Sequence, residues 1–341
     1  MKCSKIWRTK NKPEGILQIV HGMTEYIGRY EALAQYFNEL GYVVCGYDLE
    51  GHGDNLYPGI PALYVESWEK SVDNLEQHRK MFKEQLTKEY GELPYCLLGF
   101  SLGSFLVRSH QMKYPNTVEK IVLVGTGMPT KSNLILAKFL TKFRCNKNTL
   151  ATPSKFVQSM LFDSYNKKIP NALSEFDWLF RSQIALEKYK QDPRIRTKVT
   201  PKFFLEFING MIDLSENEMS TLAQNIASAS TLAQNITQSQ NSNSQGEVSA
   251  LAKNTIIPDV LFLYGEEDPV SEGVDKVIDG YRKLGIAVRR IKIEGMRHDV
   301  LHDMCSEYAC QVITDFLEEW VCLSSYYRSL NEEKTPDSQQ Q

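Results

Sequence analysis

Apolar residues fall in two rhythms along this chain. Short unbroken runs, at Ile16 to Val20, Tyr42 to Tyr47, Tyr95 to Leu98 and Ile121 to Gly125, read as strands buried on both faces. Stretches of helical spacing lie between them. Tyr30, Leu33, Ala34, Phe37 and Leu40 share one side of Arg29 to Leu40, which Gly41 ends. Val65, Trp68, Val72, Leu75, Phe82 and Leu86 lie near one face of Val65 to Tyr90, which Gly91 ends. The alternation returns late, with strand Val260 to Tyr264, helix Val274 to Leu284, strand Val288 to Ile293 and a closing helix from Asp303 to Trp320. Strands alternating with helices predict an α/β fold, a mostly parallel sheet flanked by helices. Such sheets place ligands beyond the carboxyl ends of their strands.

The interval from Gly127 to Pro258 breaks this rhythm. Helical patterns at Leu134 to Phe143, Phe156 to Phe162, Phe176 to Tyr189 and Pro201 to Leu214 predict a helical cap over residues 128–214. Its helices are expected to bury one apolar face over the strand ends and to turn basic edges outward. From Lys131 to Leu214 there are eleven Lys and four Arg against four Asp and three Glu, a net +8 in a chain of net −3. Residues 215–254 then turn to Ser, Asn, Gln and Ala, and Ser220 to Ile226 recurs unchanged as Ser230 to Ile236. Two copies are too few for a solenoid, so this stretch reads as a low-complexity insertion with little order, dispensable for folding. The core is therefore split into 1–127 and 255–322, with a polar tail at 323–341.

Composition narrows the class. With 42% hydrophobic and 24% charged residues, the 341-residue chain can fill a large core. The mild net charge speaks against a nucleic-acid binder. No apolar run is long enough to span a bilayer, and the basic start, Met1-Lys2-Cys3-Ser4-Lys5, has no apolar signal core after it. The seven cysteines are scattered, with no C-x-x-C pair, so a reducing cytoplasmic setting is expected.

The chemistry centres on Gly99-Phe100-Ser101-Leu102-Gly103, set between a strand and a helix. That context makes Gly-x-Ser-x-Gly a nucleophile elbow, with Ser101 lifted above the sheet edge. A serine hydroxyl needs a base, and the base needs an acid to orient it. In this architecture the chain order is serine, acid, histidine. Asp268, in Gly265-Glu266-Glu267-Asp268-Pro269, and His298, in Gly295-Met296-Arg297-His298, follow the last strands in that order. Glu267 is the rival acid and His302 the rival base. The oxyanion hole is expected from the backbone N–H groups of Met23 and Leu102. His21 and Gly22 fall at substrate-binding positions on the same loop, with His21 a loop-shaping residue rather than a base.

His21-Gly22-Met23-Thr24-Glu25, Gly28-Arg29-Tyr30, Gly51-His52-Gly53, Gly99 to Gly103, Asp268-Pro269 and Gly295 to His298 together resemble the α/β-hydrolase superfamily. The likeness is greatest to its monoacylglycerol lipase and lysophospholipase-like group, also described as serine aminopeptidase-like. In the cap, Phe176-Asp177-Trp178-Leu179 and Tyr189 to Pro193 resemble bacterial lysophospholipase-like members. The resemblance implies the α/β-hydrolase fold, with the cap inserted before the acid-bearing strand. It implies Ser101 as nucleophile, Asp268 as acid and His298 as base, with no metal and no organic cofactor. It further implies a serine ester hydrolase acting on a single-acyl-chain lipid ester, with a prolyl-type aminopeptidase or a non-catalytic binding protein as alternatives. The basic cap suggests peripheral contact with an anionic membrane surface. Some positions depart from the pattern: Glu50 stands where the group usually has arginine before Gly-His-Gly, Asp54-Asn55 follow in place of serine or threonine, and Tyr26 replaces a common histidine.

Overall fold

The computed structural model describes residues 3–60, 63–239 and 257–318. Seven strands form one sheet: β1 (Ser4–Trp7), β2 (Gly15–Val20), β3 (Tyr42–Tyr47), β4 (Tyr95–Phe100), β5 (Lys120–Val124), β6 (Asp259–Gly265) and β7 (Val288–Ile293), in the order β1-β3-β2-β4-β5-β6-β7. Only β1 runs antiparallel, pairing with β3 at the edge; the other pairings are parallel. The sequence reading did not find β1, because four residues with a single full turn of alternation carry little signal. The inner strands are buried on both faces, as their unbroken apolar runs require.

Helices cover both faces. α1 (Glu31–Glu39) and the closing helix, at 306–318, pack on one face with Leu17, Val44, Leu98 and Leu263. α2 (Trp68–Tyr90), α3 (Leu102–Lys113) and α8 (Val274–Lys283) pack on the other, with Val43, Leu97, Ile121 and Phe262. α2 starts at Trp68 rather than Val65, because the Ser67 side chain caps it by accepting the Lys70 N–H (3.1 Å). Register brings the carboxyl ends of β2, β4 and β5 level, with Val20 opposite Gly99 and Phe100 opposite Val124. Ser101 therefore emerges at the middle of that edge.

The cap consists of α4 (Lys131–Arg144), α5 (Lys155–Asn166), α6 (Gln183–Gln191) and the start of α7 (Pro201–Ser239). Three expectations need correction here. The helix expected over Phe176 to Tyr189 is broken, and only its second half forms α6, capped by Ser182. The carbonyls a continuous helix would use internally go to the core instead. Trp178 O accepts the His298 N–H (3.3 Å) and Leu179 O the Asp299 N–H (2.9 Å), while the Arg297 guanidinium donates to Asp177 O (2.7 Å) and Phe180 O (2.9 Å).

The boundary expected at residue 215 is also absent. α7 continues unbroken to Ser239. Ala, Leu, Met and Gln suit a helix well enough, and tertiary contacts hold it. Leu222 and Ala229 are buried, Asn225 donates to the last carbonyls of α3, and buried Glu218 pairs with buried Arg108 (2.6 Å). Thus 215–231 is packed structure, not a loose insertion. The remainder of the expected insertion, 240–254, and the tail at 323–341 lie outside the described residues.

α4 inverts the expected polarity. Ile135, Leu136, Phe139, Leu140 and Phe143 form a stripe at helical spacing, and all are exposed, Phe143 to 82%. Only Leu134 and Thr141 on this helix are buried. No helix among the described residues is long and apolar enough to cross a membrane.

Candidate active site

The nucleophile turn is built from steric necessity. Ser101 has φ 51° and ψ −115°, a sparsely populated conformation for a residue with a side chain. Its N–H donates to Val124 O (2.9 Å), and its carbonyl accepts the Ser104 hydroxyl (2.6 Å) and N–H (2.9 Å). A Cβ on Gly103 would sit 1.9 Å from Val20 O, so only glycine lets α3 approach β2 this closely. The Ser101 hydroxyl thus stands at the positive end of α3.

The expected acid and base lie against each other. Asp268 and His298 are buried, 7% and 1% exposed, and the His298 Nδ1–H donates to Asp268 Oδ1 at 2.8 Å. Oδ1 also accepts the Val270 N–H (2.8 Å), and Oδ2 accepts the Ser271 hydroxyl (2.6 Å). Three donors suit an ionised carboxylate and leave His298 Nε2 as the free face of the ring. That Nε2 is buried without a protein partner, so the Ser101–His298 hydrogen bond is not formed in this arrangement. Such bonds are often long until substrate binds. A Cβ on Gly125 would meet the His298 ring at 2.7 Å, so this glycine, at φ 59°, makes room for the base.

Ser101 and His298 line one cavity, in which the space between atoms, open solvent included, is about 440 Å³. Phe100, Leu102, Phe105, Leu161, Phe162 and Phe207 supply apolar walls, and no carboxylate among the described residues lines it. Met23 and Leu102 also reach this cavity, and among the described residues their backbone N–H groups donate to no protein acceptor.

The rival acid lies elsewhere: Glu267 is at the surface, ion-paired with Arg181 (3.0 Å) and Arg297 (3.8 Å). The rival base, His302, is held by Asp299 (2.8 Å) and stacks edge-on against Tyr30. His21 and Gly22 do not reach the cavity, which corrects their reading as substrate-binding positions. His21 is fully buried, its Nδ1–H donating to Gly22 O (2.8 Å) and its Nε2 accepting the Leu49 N–H (2.9 Å). Burial lowers its pKa and keeps the ring neutral. The Gly22 N–H is taken by Glu25 Oε1 (2.6 Å). Both residues shape the loop that presents Met23.

Other residues of the quoted motifs were given no role from the sequence. Thr24, at φ 70°, lines the cavity and shares a hydrogen bond with Tyr189 of α6 (2.6 Å), which ties the Met23 loop to the cap. Glu25, Arg29 and Asp299 form a buried ion-pair chain from that loop to the residue after His298. Asp299 is held down to about 2, against a burial penalty, by His302 and Arg29. Trp178 lines the cavity with its ring 5.1 Å from the His298 ring, and its indole N–H has no protein partner. A tryptophan in an apolar run looks like core, and only its contact with His298 distinguishes it.

Comparison with known proteins supplies context for this geometry. Residues 11–304 match the family described as Serine aminopeptidase, S33. A monoacylglycerol lipase of Mycolicibacterium smegmatis is 27% identical over 36% of this chain and 41% of that protein. The monoglyceride lipase of Rattus norvegicus is 27% identical over 56% of this chain and 55% of that protein. The chain thus spans about half the length of these curated relatives. Among solved structures, a thermostable carboxyl esterase of Bacillus coagulans, in complex with glycerol, has TM-score 0.73 at 19% identity and covers 93% of each chain. A soluble variant of the monoglyceride lipase of Saccharomyces cerevisiae, in complex with a substrate analog, has TM-score 0.67 at 14% identity, covering 93% of this chain and 91% of that one. These structural likenesses speak for the α/β-hydrolase fold.

Proposed function

Since this chain belongs to the Serine aminopeptidase, S33 family of α/β-hydrolases, we propose that it is a serine ester hydrolase cleaving a single-acyl-chain lipid ester of the monoacylglycerol or lysophospholipid type. The observation that carries this reading is the buried Asp268–His298 pair facing one apolar cavity with Ser101 on its strained turn. Ser101 Oγ attacks the ester carbonyl while His298 Nε2 takes its proton. Asp268 orients the ring and stabilises its cation. The Met23 and Leu102 N–H groups bind the developing oxyanion. His298 then protonates the leaving alcohol, and water releases the acid. The monoglyceride lipase relatives support an acyl-ester substrate. An aminopeptidase would need a carboxylate to hold the substrate ammonium, and none among the described residues lines the cavity. Hydrolysis of a 1-monoacylglycerol chain-length series, run beside aminoacyl arylamides, tests this. Ester turnover that depends on chain length is expected; faster turnover of the arylamides would overturn it.

Asp268→Asn should lower kcat by up to about 10⁴ with the fold retained, because the amide favours the wrong histidine tautomer. Glu267→Gln should change kcat less than about two-fold, since Glu267 is part-exposed and does not line the cavity. Steady-state kinetics with circular dichroism distinguish the two, and the reverse ranking would reassign the acid.

The exposed stripe of α4 supports the second part of the proposal, peripheral docking on an anionic lipid surface. Lys138 and Lys142 lie on the same helix as Phe139 and Phe143. Each cation near such a surface is worth about 1 kcal/mol, and apolar side chains entering the interface add to that. Ser101→Ala protein should co-sediment with anionic vesicles more than with neutral ones, less so in high salt, and much less with Phe139→Asp/Phe143→Asp. Equal sedimentation of both variants would remove α4 from the account.

A further inference from the structure

The loop after β3 carries Glu50 where the resemblance leads one to expect arginine, and a second cavity opens there. It is a narrow, partly open cleft, in which the space between atoms, open solvent included, is about 390 Å³. Leu102 and Phe207 line both this space and the catalytic cavity, so the two compartments share a wall. Val65, Trp68, Leu106 and Phe203 make it largely apolar. Two buried polar side chains nevertheless line it with atoms that have no hydrogen-bond partner among the described residues, His52 Nε2 and the Tyr47 hydroxyl, while Glu50, which also lines it, has the Tyr57 hydroxyl beside it. His52 and Tyr47 are 1% and 2% exposed.

The chemistry of the three is specific. His52 Nδ1–H donates to Glu50 O (2.8 Å), so Nε2 is an acceptor. Burial and neighbouring His21 push the His52 pKa down to about 3, so the ring stays neutral. The Tyr47 ring is fixed by stacking on His78, with centroids 3.6 Å apart and planes 4° apart. The Glu50 carboxylate, half-buried near Tyr57, is a second acceptor. A buried polar group left unpaired is costly, so two lining one space call for a partner that can donate and accept.

We propose that this cavity is a second substrate compartment, which takes a hydroxyl group carried by the lipid away from its scissile ester, so that the enzyme selects hydroxylated over plain acyl esters. This rests on the ester-hydrolase reading. The hydroxyl donates to His52 Nε2 or Glu50 and accepts from the Tyr47 hydroxyl. A plain chain leaves those groups unpaired, and sites built to bond a hydroxyl reject analogues lacking it strongly.

The test uses C18 monoacylglycerols, plain and with one hydroxyl at successive chain positions, in competition. At some position the kcat/KM ratio of hydroxylated to plain ester should reach about ten or more, the factor that ~1.4 kcal/mol confers. Tyr47→Phe keeps the stacked ring and should bring that ratio toward one, as should His52→Phe. A ratio near one at every position, as expected if water alone fills the cavity, overturns the proposal, as does a preference that both substitutions leave intact. Titrating the same lipid pairs onto Ser101→Ala by intrinsic fluorescence reads the compartment without turnover. If no ester is hydrolysed but the binding preference persists and falls with Tyr47→Phe, the ester-hydrolase reading fails and the compartment stands.

Discussion

Ser101→Ala lowers kcat by about 10⁴ to 10⁶, the loss seen when a triad nucleophile is removed. Several features make the effect this large. Ser101 stands on the strained turn at the start of α3, and His298 Nε2, already oriented through Nδ1 by Asp268, has no other donor competing for it among the described residues. The proposed oxyanion donors, Met23 and Leu102, and the cavity are untouched, so residual activity above water is expected. The fold should survive, because the turn is held by the backbone of Ser101, through Val124 O and Ser104, rather than by its hydroxyl. Single-turnover kinetics with a monoacylglycerol, together with an unchanged urea midpoint, check both halves of this expectation.

The second large effect lies away from the chemistry. Arg108 is 1% exposed and Glu218 2%, and they meet in two hydrogen bonds, at 2.8 and 2.6 Å. Glu218 also accepts from the Tyr281 hydroxyl (2.9 Å), and Arg108 donates to Thr126 Oγ1 (3.1 Å) and Gly127 O (2.7 Å). This knot joins the nucleophile helix, the long cap helix, α8 and the loop after β5. Glu218→Ala leaves a buried guanidinium uncompensated and should cost about 3–5 kcal/mol. Arg108→Met/Glu218→Leu, which removes both charges, should recover much of that loss. Deleting 215–254 removes Glu218, Leu222 and Asn225 together and should abolish soluble folding. Urea unfolding of the two variants and expression of the deletion test this; a fully stable deletion would mean that α7 beyond Leu214 adds nothing.

The parts legible in the sequence are those with tight local requirements. Gly103 has to be glycine because Val20 O lies where its Cβ would be, and such a demand leaves a five-residue mark. Asp268 and His298 follow strand ends, where the topology of a parallel sheet places ligands. The parts not legible depend on partners far along the chain. Glu218 sits in a polar, repetitive stretch, and nothing local marks its pairing with an arginine 110 residues earlier. The apolar spacing of Phe176 to Tyr189 suits a helix, yet Arg297, His298 and Asp299 take its carbonyls and break it. His21 and Gly22 lie one step from Met23, but the loop turns them inward, and a string of residues does not carry that direction. The polarity of α4 was inverted because periodicity reports a stripe and not which way it faces.

The central claim is that Ser101, activated by His298, is the nucleophile. A fluorophosphonate probe reacts with such a serine and forms a stable adduct. After digestion, mass spectrometry of the labelled protein should place the adduct on the peptide containing Gly99-Phe100-Ser101, with labelling lost in Ser101→Ala and strongly slowed in His298→Ala. An adduct on another serine, or equal labelling of Ser101→Ala, would contradict the account.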